Sequence, residues 1–474
     1  MTRREWMALA ASASVAPNAA VAADGAHPNI VVLLGDQLRA QAVGCLGDGQ
    51  ARTPHIDRMA GEGVILNNTF ANSPVCCPAR ATMLTGQYCH RNGMTANDLR
   101  LREGGLSMAQ TLRDAGYRTG FVGKWHLDGG PRQPGFVPPG ARRHGYEFWA
   151  ANECSHQHFH NTVFRDTPEP IVLNEFETTG YAKFAEEFLR AAKTDRRPFY
   201  LSVQWGPPHD PYRAPEEWSR RFDAEKMKLR PNWREGPGVP GRAAIAQYYA
   251  MTAALDDGIG RVLAAIDEAG ARENTIVLVA SDHGDMLGSQ GERLKRKPWE
   301  ESIRVPGILR WPAKWKGGAR RDVMFTHVDF APTLLGMAGI AAPRGMQGTN
   351  LAREIAGEGR GPESAYLEIF GPYAGDGTKA GWRGVRTHRY LYARHRERPW
   401  VLYDVERDPY EMHNLVEERG ARALLAEMEK KLGEWMERTG DRWENNWTYP
   451  VEDDGRLYKD RTYYSVAEYV AAQG

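Results

Sequence analysis

The chain has 474 residues, and its 61 Lys and Arg residues nearly balance 60 Asp and Glu residues, for a formal net charge of +1. This balance and the lack of any basic or acidic tract argue against a nucleic-acid partner, so any affinity for an anion must come from a local group of residues. The hydrophobic content of 42% is that of a globular protein, the length predicts two domains, and no internal apolar run is long enough to span a membrane.

The first 23 residues predict an export signal. Arg3 and Arg4 precede an Ala-rich, weakly apolar stretch that ends in small residues at positions 21–23. A charged start, an apolar middle and a small-residue end are the three parts of a cleavable signal peptide. The paired arginines resemble a twin-arginine signal, which exports folded proteins. We therefore expect the mature protein to lie in the periplasm or outside the cell.

Four predicted strands each end beside a charged or imidazole side chain. The strands are apolar runs rich in β-branched residues, at positions 29–34, 118–122, 199–204 and 275–280. They are followed by Asp36, by Lys124 and His126, by His209, and by Asp282 and His283. Helices are predicted between them, at positions 107–115, 181–192 and 243–268. This pattern predicts an α/β fold whose large sheet lies between helices and carries a site along the carboxyl ends of its strands.

The composition changes at the Gly-rich segment 357–362, which we take as the boundary between two units. Short antiparallel strands are predicted after it, at positions 366–370, 382–387, 390–393 and 401–405. Residues 421–438 predict a helix with a Leu and Met stripe that belongs to a core. We expect a main domain over residues 24–360 and, over residues 361–474, an α+β subdomain with a four-stranded antiparallel sheet. The aromatic-rich tail from Asp441 is expected to pack on the main domain.

The segment from Cys76 to Gly86 combines a nucleophile with features of a helix start. Pro78 suits the first turn of a helix over residues 79–84, and Gly86 suits its end. Cys76 would then lie at the positive end of the helix, with Arg80 one turn further on the same face. That arrangement favours a tetrahedral oxyanion as ligand. The alternative is a free cysteine that only fills space in the core.

This segment reads C-x-P-x-R followed by L-T-G, and the chain thereby resembles the type I, formylglycine-dependent sulfatases. Further segments are similar to that family, at positions 123–126 (G-K-W-H), 207–211, 300–306 and 402–415. The resemblance covers the whole mature chain. It implies an alkaline phosphatase-like fold, with a large mixed sheet between helices and a smaller C-terminal antiparallel sheet, and it implies hydrolysis of sulfate esters.

The resemblance also implies how the nucleophile is made and held. Cys76 would be oxidised by a formylglycine-generating enzyme to Cα-formylglycine, an aldehyde whose hydrate attacks sulfur. Arg80 would hold the hydrate. His126 would take the proton of the second hydroxyl, whose loss releases sulfate and restores the aldehyde. The alternative for His126 is an ordinary core histidine.

The sulfate group would be bound by lysines and its leaving oxygen protonated by a histidine. The resemblance assigns sulfate binding to Lys124 and Lys295; Lys297 is close enough to be confused with Lys295, which we prefer by its spacing from His283. His209, in the P-x-H segment, would protonate the leaving oxygen. An imidazole with its ordinary pKa of about 6.5 can act as an acid at mild pH.

A metal site is predicted from Asp36 and from the pair Asp282 and His283. The single residue and the pair follow separate strands, as a hard-cation site on a sheet edge requires. In the sulfatases a second aspartate usually follows the first, and an asparagine usually follows the later aspartate. Here these positions hold Gln37, whose amide oxygen brings no charge, and His283. The resemblance implies Ca²⁺, with modified Cys76 completing the ligand set; Mg²⁺ and Mn²⁺ are the alternatives. The alternative for Asp36 is a helix cap.

The predicted substrate is a sulfated carbohydrate, a poly- or oligosaccharide, because the protein is expected to be exported and is rich in aromatic residues. His156 and His158 belong to a histidine-rich insert with His160, and they are candidates for a substrate pocket. A second metal site is the alternative for the three histidines. Arg386 and His388 are further candidates for substrate binding.

Two other functions stay open at this point. Phosphonate and phosphate ester hydrolases belong to the same superfamily, although the two lysines and the segments around His126 and His209 favour sulfate. A non-catalytic protein that binds sulfated glycans would result if Cys76 were never oxidised. The four other cysteines could form two disulfides at most, and the sequence does not decide whether any form: Cys45, Cys77, Cys89 and Cys154.

Overall fold

The computed structural model describes residues 27–129, 134–371 and 381–443. The predicted signal peptide and nearly all of the aromatic tail lie outside these residues, so both stay predictions. The strands are β1 (Asn29–Asp36), β2 (Val64–Phe70), β3 (Arg118–Lys124), β4 (Phe148–Asn152), β5 (Thr162–Val163), β6 (Ile171–Val172), β7 (Phe199–Pro208), β8 (Thr275–Ser281), β9 (Ile308–Arg310), β10 (Ala319–Thr326), β11 (Ser364–Ile369), β12 (Trp382–Thr387), β13 (Tyr390–Arg394) and β14 (Pro399–Asp404). The helices are α1 (Pro54–Gly61), α2 (Cys76–Thr85), α3 (Cys89–Asn92), α4 (Met108–Asp114), α5 (Glu177–Ala192), α6 (Glu216–Ser219), α7 (Arg242–Glu268), α8 (Glu300–Ile303), α9 (His327–Met337), α10 (Ala352–Ala356) and α11 (Arg422–Thr439).

The large sheet has eight strands in the order β10-β2-β9-β8-β1-β7-β3-β4. It is mixed, because β9 runs antiparallel to β2 and β8 while the other pairs are parallel. Side chains alternate between the two faces of a strand, and both faces of β1 are buried. Ile30 and Val32 join a core with α2, α4 and α9, whereas Val31 and Leu33 join a second core with α5 and α7. The predicted sheet between two layers of helices is confirmed.

The site residues share one edge because four strands are parallel neighbours. β8, β1, β7 and β3 lie side by side in that order and point the same way. Their carboxyl ends therefore meet at the same edge, as the sequence predicts. The chain turns sharply beyond two of these strands, since Gln37 and His126 adopt positive φ angles of 67° and 57°.

The helix that begins with the cysteine motif starts earlier than predicted. α2 begins at Cys76 itself, with Pro78 in its first turn, and it ends at Gly86, whose φ is 63°. All ten of its residues are buried, so the segment lacks the alternation of polar and apolar residues from which the bounds of a helix are predicted. The residue before it, Val75, is extended and supplies no side-chain cap.

The C-terminal part contains the predicted four-stranded antiparallel sheet, in the order β11-β12-β13-β14. Helix α11 packs on it through Met428 and Leu432, which join a separate buried cluster with Tyr366 and Tyr392. The α+β content of this part is confirmed, while the boundary at residue 360 stays a prediction. Among the described helices, none has both the length and the apolar composition needed to cross a bilayer.

Candidate active site

Four side chains from three distant segments meet where the parallel strands end. Asp36 at the end of β1, Cys76 at the start of α2, and Asp282 and His283 after β8 each bring one potential ligand atom, all within 4.8 Å of one another. All four are buried. The sequence-predicted metal residues other than Gln37 therefore form one cluster.

The donor atoms of this cluster fit a divalent cation. Asp36 Oδ1 is buried and has no hydrogen-bond partner among the described residues. His283 Nδ1 lies 3.0 Å from the carbonyl oxygen of Gly284, which can only accept, so Nδ1 carries the proton. His283 Nε2 is then the ring atom that faces the cluster, 3.2 Å from Cys76 Sγ. Two carboxylates and an oriented imidazole are suitable ligands for such an ion.

Arg80 and Lys124 balance the negative charge of the cluster. The Arg80 guanidinium lies 3.1 Å from Asp36 Oδ2 and 3.0 Å from Asp282 Oδ2, and Lys124 Nζ lies 2.5 Å from Asp36 Oδ2. Burial and Cys76 raise the pKa of Asp36, but the positive charges of Lys124, His209 and Arg80 outweigh them and hold it below its usual value. Because Asp36 Oδ2 binds both cations, Oδ1 is the oxygen left for a metal.

The surroundings of Cys76 stabilise an anion at this position. Burial alone would raise the pKa of the thiol, but nearby Lys124, Lys295 and His283 bring it well below its usual value. In the formylglycine form that the sequence predicts, an oxygen would replace Cys76 Sγ on the same carbon. The site thus suits a negatively charged nucleophile at residue 76.

Lys295 contacts both His209 and Gln37 beside the cluster. Lys295 Nζ lies 2.7 Å from His209 Nε2 and 2.7 Å from Gln37 Oε1. His209 Nδ1 donates to the carbonyl oxygen of Asp210 at 2.7 Å, which leaves Nε2 as the ring atom facing the site. Lys297, the alternative lysine, is instead paired with Glu292 at 3.2 Å.

The amide of Gln37 is oriented by neighbouring carboxylates. Its Nε2 donates to Asp285 Oδ2 at 2.7 Å and to Asp210 Oδ1 at 3.3 Å, so its Oε1 faces Lys295. Sequence reasoning missed Asp285, although it stands three residues after Asp282. Metal coordination by Gln37 stays a prediction.

His126 is held by an aspartate that sequence reasoning also missed. Its Nε2 lies 3.0 Å from Asp98 Oδ1, and its Nδ1 is buried without a hydrogen-bond partner among the described residues. Burial lowers the pKa of His126, but Cys154, Cys77 and Asp98 raise it well above its ordinary value. No motif marks Asp98, because it belongs to a loop that follows α3.

The three histidines of the insert have three different environments, so they do not form a second metal site. The His156 ring stacks on His209, with ring centroids 4.1 Å apart. Both ring nitrogens of His158 are engaged, with Glu177 Oε1 at 2.8 Å and the carbonyl oxygen of His209 at 2.7 Å, which argues against contact with a substrate. His160 is exposed.

Arg386 and His388 have their described contacts away from this cluster. Arg386 donates to Glu300 Oε1 at 2.7 Å, and its guanidinium lies over the Phe70 ring at 5.2 Å. His388 is exposed and lies 3.4 Å from the Asn68 amide. These contacts give no support to the predicted role of the two residues in substrate binding. None of the five cysteines forms a disulfide in this structure.

Comparison with known proteins finds that the chain is similar to sulfatases. The sulfatase family profile matches residues 28–340, and the profile of the N-sulphoglucosamine sulphohydrolase C-terminal region matches residues 288–438. An ulvan-active sulfatase of Formosa agariphila is 35% identical over 424 residues, which cover 88% of this chain and 83% of that protein. An N-acetylglucosamine-6-O-sulfatase of Bacteroides thetaiotaomicron is 28% identical over 511 residues, which cover 91% and 89%.

The fold is similar to that of solved sulfatase structures. A sulfatase from Bacteroides fragilis superposes with a TM-score of 0.81 at 29% sequence identity, covering 88% of this chain and 97% of that chain. The alkaline phosphatase-like architecture predicted from the motifs is thereby confirmed. The family profile spans the large sheet and every residue of the buried cluster. The chain therefore belongs to the sulfatase family and is a sulfuric ester hydrolase.

Proposed function

We propose that the protein hydrolyses sulfate esters of a poly- or oligosaccharide, using a formylglycine hydrate made from Cys76 and a divalent cation. The observation that carries the proposal is the position of Cys76, which is buried at the start of α2 within the cluster of Asp36, Asp282 and His283. The carbohydrate class is supported by relatives whose names specify ulvan and N-acetylglucosamine 6-sulfate.

Two groups that the chain would acquire supply part of the chemistry. The formylglycine hydrate provides an attacking oxygen and a second hydroxyl, which a serine or cysteine side chain lacks. A cation held by Asp36, Asp282, His283 and residue 76, with Gln37 as a further candidate ligand, would neutralise charge on the sulfuryl oxygens. Ca²⁺ is the first ion to test, and Mg²⁺ and Mn²⁺ are the alternatives.

The side chains of the chain itself bind the sulfate group and move protons. Lys124 and Lys295 bring two positive charges close enough to residue 76 to lower the pKa of its thiol, so they are suited to bind the sulfuryl oxygens. His209 would donate a proton from Nε2 to the leaving oxygen. Because its Nδ1 already donates to Asp210, the ring is an imidazolium when it acts as acid.

The release of sulfate would depend on His126. Asp98 holds the Nε2 side of this ring, so the Nδ1 side can accept the proton of the second hydroxyl at residue 76. This pairing of a carboxylate and an imidazole is the arrangement that orients general bases in hydrolases. Maturation would require a formylglycine-generating enzyme, and the predicted twin-arginine signal would deliver the folded protein to the periplasm or the medium.

Peptide mass spectrometry over residues 71–91 tests the nucleophile directly. The protein is co-expressed with a formylglycine-generating enzyme, and sulfate release is measured from ulvan oligosaccharides and N-acetylglucosamine 6-sulfate. We expect aldehyde or hydrate at residue 76, hydrolysis of at least one substrate, and a loss of more than about 10³-fold in kcat for Cys76→Ala. Cys45→Ala, which changes a free thiol outside the site, is the matched control.

Three results would contradict the proposal. Unmodified Cys76 in a protein that still releases sulfate would exclude formylglycine as the nucleophile. A higher kcat/KM for a 4-nitrophenyl phosphonate ester than for 4-nitrophenyl sulfate would favour the phosphonate hydrolase alternative. Unmodified Cys76 in a protein that binds sulfated glycans without cleaving them would instead support the binding function.

A further inference from the structure

His156 lies against two of the proposed catalytic residues. Its ring stacks on the His209 ring with centroids 4.1 Å apart and an angle of 19° between the planes. Its Nε2 lies 3.4 Å from Lys124 Nζ. No other aromatic ring stacks on His209 among the described residues. His156 therefore contacts both the proposed acid and one proposed sulfate ligand.

These contacts define the protonation state of His156. An ammonium group can only donate, so His156 Nε2 accepts from Lys124 and its own proton is on Nδ1. Burial, together with the positive charges of His209 and Lys124, lowers the pKa of His156 well below its ordinary value. A neutral ring can stack on His209 without charge repulsion when His209 carries the proton that it donates, because the electron-rich face of a neutral aromatic ring attracts a cation.

The other side-chain and backbone contacts of His209 are made at the nitrogens of its ring and at its backbone. Asp210 contacts the Nδ1 side of the ring and Lys295 the Nε2 side, so His156 supplies the contact on the ring face. The hydrogen bond from His158 fixes the backbone carbonyl of His209 and does not touch its ring. Rotation of the imidazole out of its plane is opposed by a group stacked on its face, and His156 is that group.

We infer that His156 is a positioning residue for proton donation, and this inference rests on the function proposed above. Its ring fixes the plane of the His209 imidazole, and its Nε2 fixes Lys124, so that His209 Nε2 is directed at the leaving oxygen. As the S–O bond breaks, the electron pair goes to that oxygen and the proton of His209 Nε2 joins it. His156 itself exchanges no proton in this step.

The inference predicts a dependence on the leaving group. The alkoxide of a sugar is a poor leaving group and needs the proton, whereas 4-nitrophenolate leaves without one. We expect His156→Ala to lower kcat by about 30- to 100-fold on the saccharide and by less than about threefold on 4-nitrophenyl sulfate, with KM nearly unchanged. His209→Ala should show the same selectivity with a larger loss on the saccharide.

Two variants separate positioning from general damage. His156→Phe keeps a flat ring on His209 and should regain most of the kcat lost in His156→Ala. His160→Ala changes an exposed histidine of the same insert and should leave both activities unchanged. The saccharide is whichever of ulvan oligosaccharides and N-acetylglucosamine 6-sulfate the wild type hydrolyses, and formylglycine content is measured in every variant.

The outcomes distinguish this inference from the proposed function. Equal losses on the two substrates, or a His156→Phe variant as impaired as His156→Ala, would overturn the inference and leave the sulfatase function intact. A His156→Ala variant that fails to fold loses activity on both substrates. In that case the activity of the His156→Phe variant decides whether the inference holds. A fully converted wild type that cleaves no sulfate ester would overturn the proposed function, and the inference with it.

Discussion

Individual side chains in the site are oriented by buried aspartates that take no part in the proposed chemistry. Asp98 Oδ1 lies 3.0 Å from His126 Nε2, and Asp285 Oδ2 lies 2.7 Å from the amide nitrogen of Gln37. Each contact determines which atom of its partner faces the site. A hydrogen bond to one ring nitrogen decides which nitrogen faces the site, and an amide whose nitrogen is engaged presents its oxygen.

Asp98→Asn is expected to slow the release of sulfate rather than the cleavage of the ester. The amide keeps the shape of the side chain but removes the charge that stabilises protonated His126. We expect kcat on 4-nitrophenyl sulfate to fall by about 10- to 100-fold, while rapid mixing still shows a burst of about one 4-nitrophenolate per enzyme. Asp114→Asn, at the exposed end of α4, is the matched control. The idea fails if the variant loses the burst together with the steady-state rate.

Site residues could be predicted from the sequence only where a charged side chain directly follows the apolar run of a strand. Asp36, Lys124 and Asp282 directly follow apolar runs, so their strands reveal that they share an edge. Asp98 and Asp285 follow no such run, and their partners lie far away or on another loop. The contact between His156 and His209 was also hidden, because it depends on how the insert folds back and no periodicity describes that.

A buried ionic network around His90 connects helix α3 with strand β11 and with the end of helix α11. His90 lies in α3, Glu368 in β11, and Asp441 directly after α11. His90 Nδ1 lies 2.7 Å from Glu368 Oε2, and its Nε2 lies 3.1 Å from the Thr439 carbonyl oxygen. Arg383 donates to both oxygens of Asp441, so these acids are already paired and the group is better described as an ionic network than as a metal site.

This network predicts a loss of stability at alkaline pH. Burial lowers the pKa of His90, but Glu368 and Asp441 raise it to about 9. The charged ring therefore stabilises the folded state fully below the unfolded pKa of about 6.5, and this stability is lost as pH rises through about 9. The shift corresponds to about 3 kcal/mol. We expect the free energy of unfolding in urea to fall by about that amount between about pH 6 and about pH 9.5.

The effect must be separated from that of other groups that titrate between about pH 6 and about pH 9.5. In His90→Gln the difference between the two pH values should shrink, whereas His413→Gln, at an exposed position in the C-terminal part, should behave as the wild type. A His90→Gln variant with the full pH dependence would show that another group is responsible.

Elements with continuous apolar runs were predicted well, and elements at the sheet margin were not. β1 and β8 are buried on both faces, so their composition alone marks them as strands. β10 is an edge strand whose first half is polar, with Arg320 and Asp322 exposed, and β2 contains two asparagines, so neither gives a continuous apolar signal. β9 has only three residues and is a strand because its neighbours pair with it.

The whole molecule would be cross-linked by the proposed cation. Its candidate ligands come from the end of β1, the start of α2 and the loop after β8, which are far apart along the chain. The unfolded chain does not hold these groups together, so an ion that binds them stabilises only the folded state. Metal binding can therefore be measured through unfolding, independently of activity.

The melting temperature of the chelator-treated protein should rise when Ca²⁺ is added. An ion at 100 times its Kd stabilises the folded state by about 2.7 kcal/mol. Asp282→Asn should abolish most of the shift, because it removes one of the two carboxylates of the cluster, whereas Asp322→Asn at an exposed position should not. No shift with Ca²⁺, Mg²⁺ or Mn²⁺ would remove the cation from the proposed mechanism.

The order of the three ions would identify the ligands that control the site. Ca²⁺ prefers several oxygen ligands in a flexible arrangement, so the largest shift with Ca²⁺ is expected if the carboxylates, the oxygen of residue 76 and Gln37 dominate. Imidazole nitrogen suits transition metals better, so a larger shift with Mn²⁺ would make His283 the decisive ligand. Gln37→Ala then separates the two cases: it should reduce the Ca²⁺ shift if the amide oxygen coordinates the ion, and it should leave that shift unchanged if Gln37 only orients Lys295.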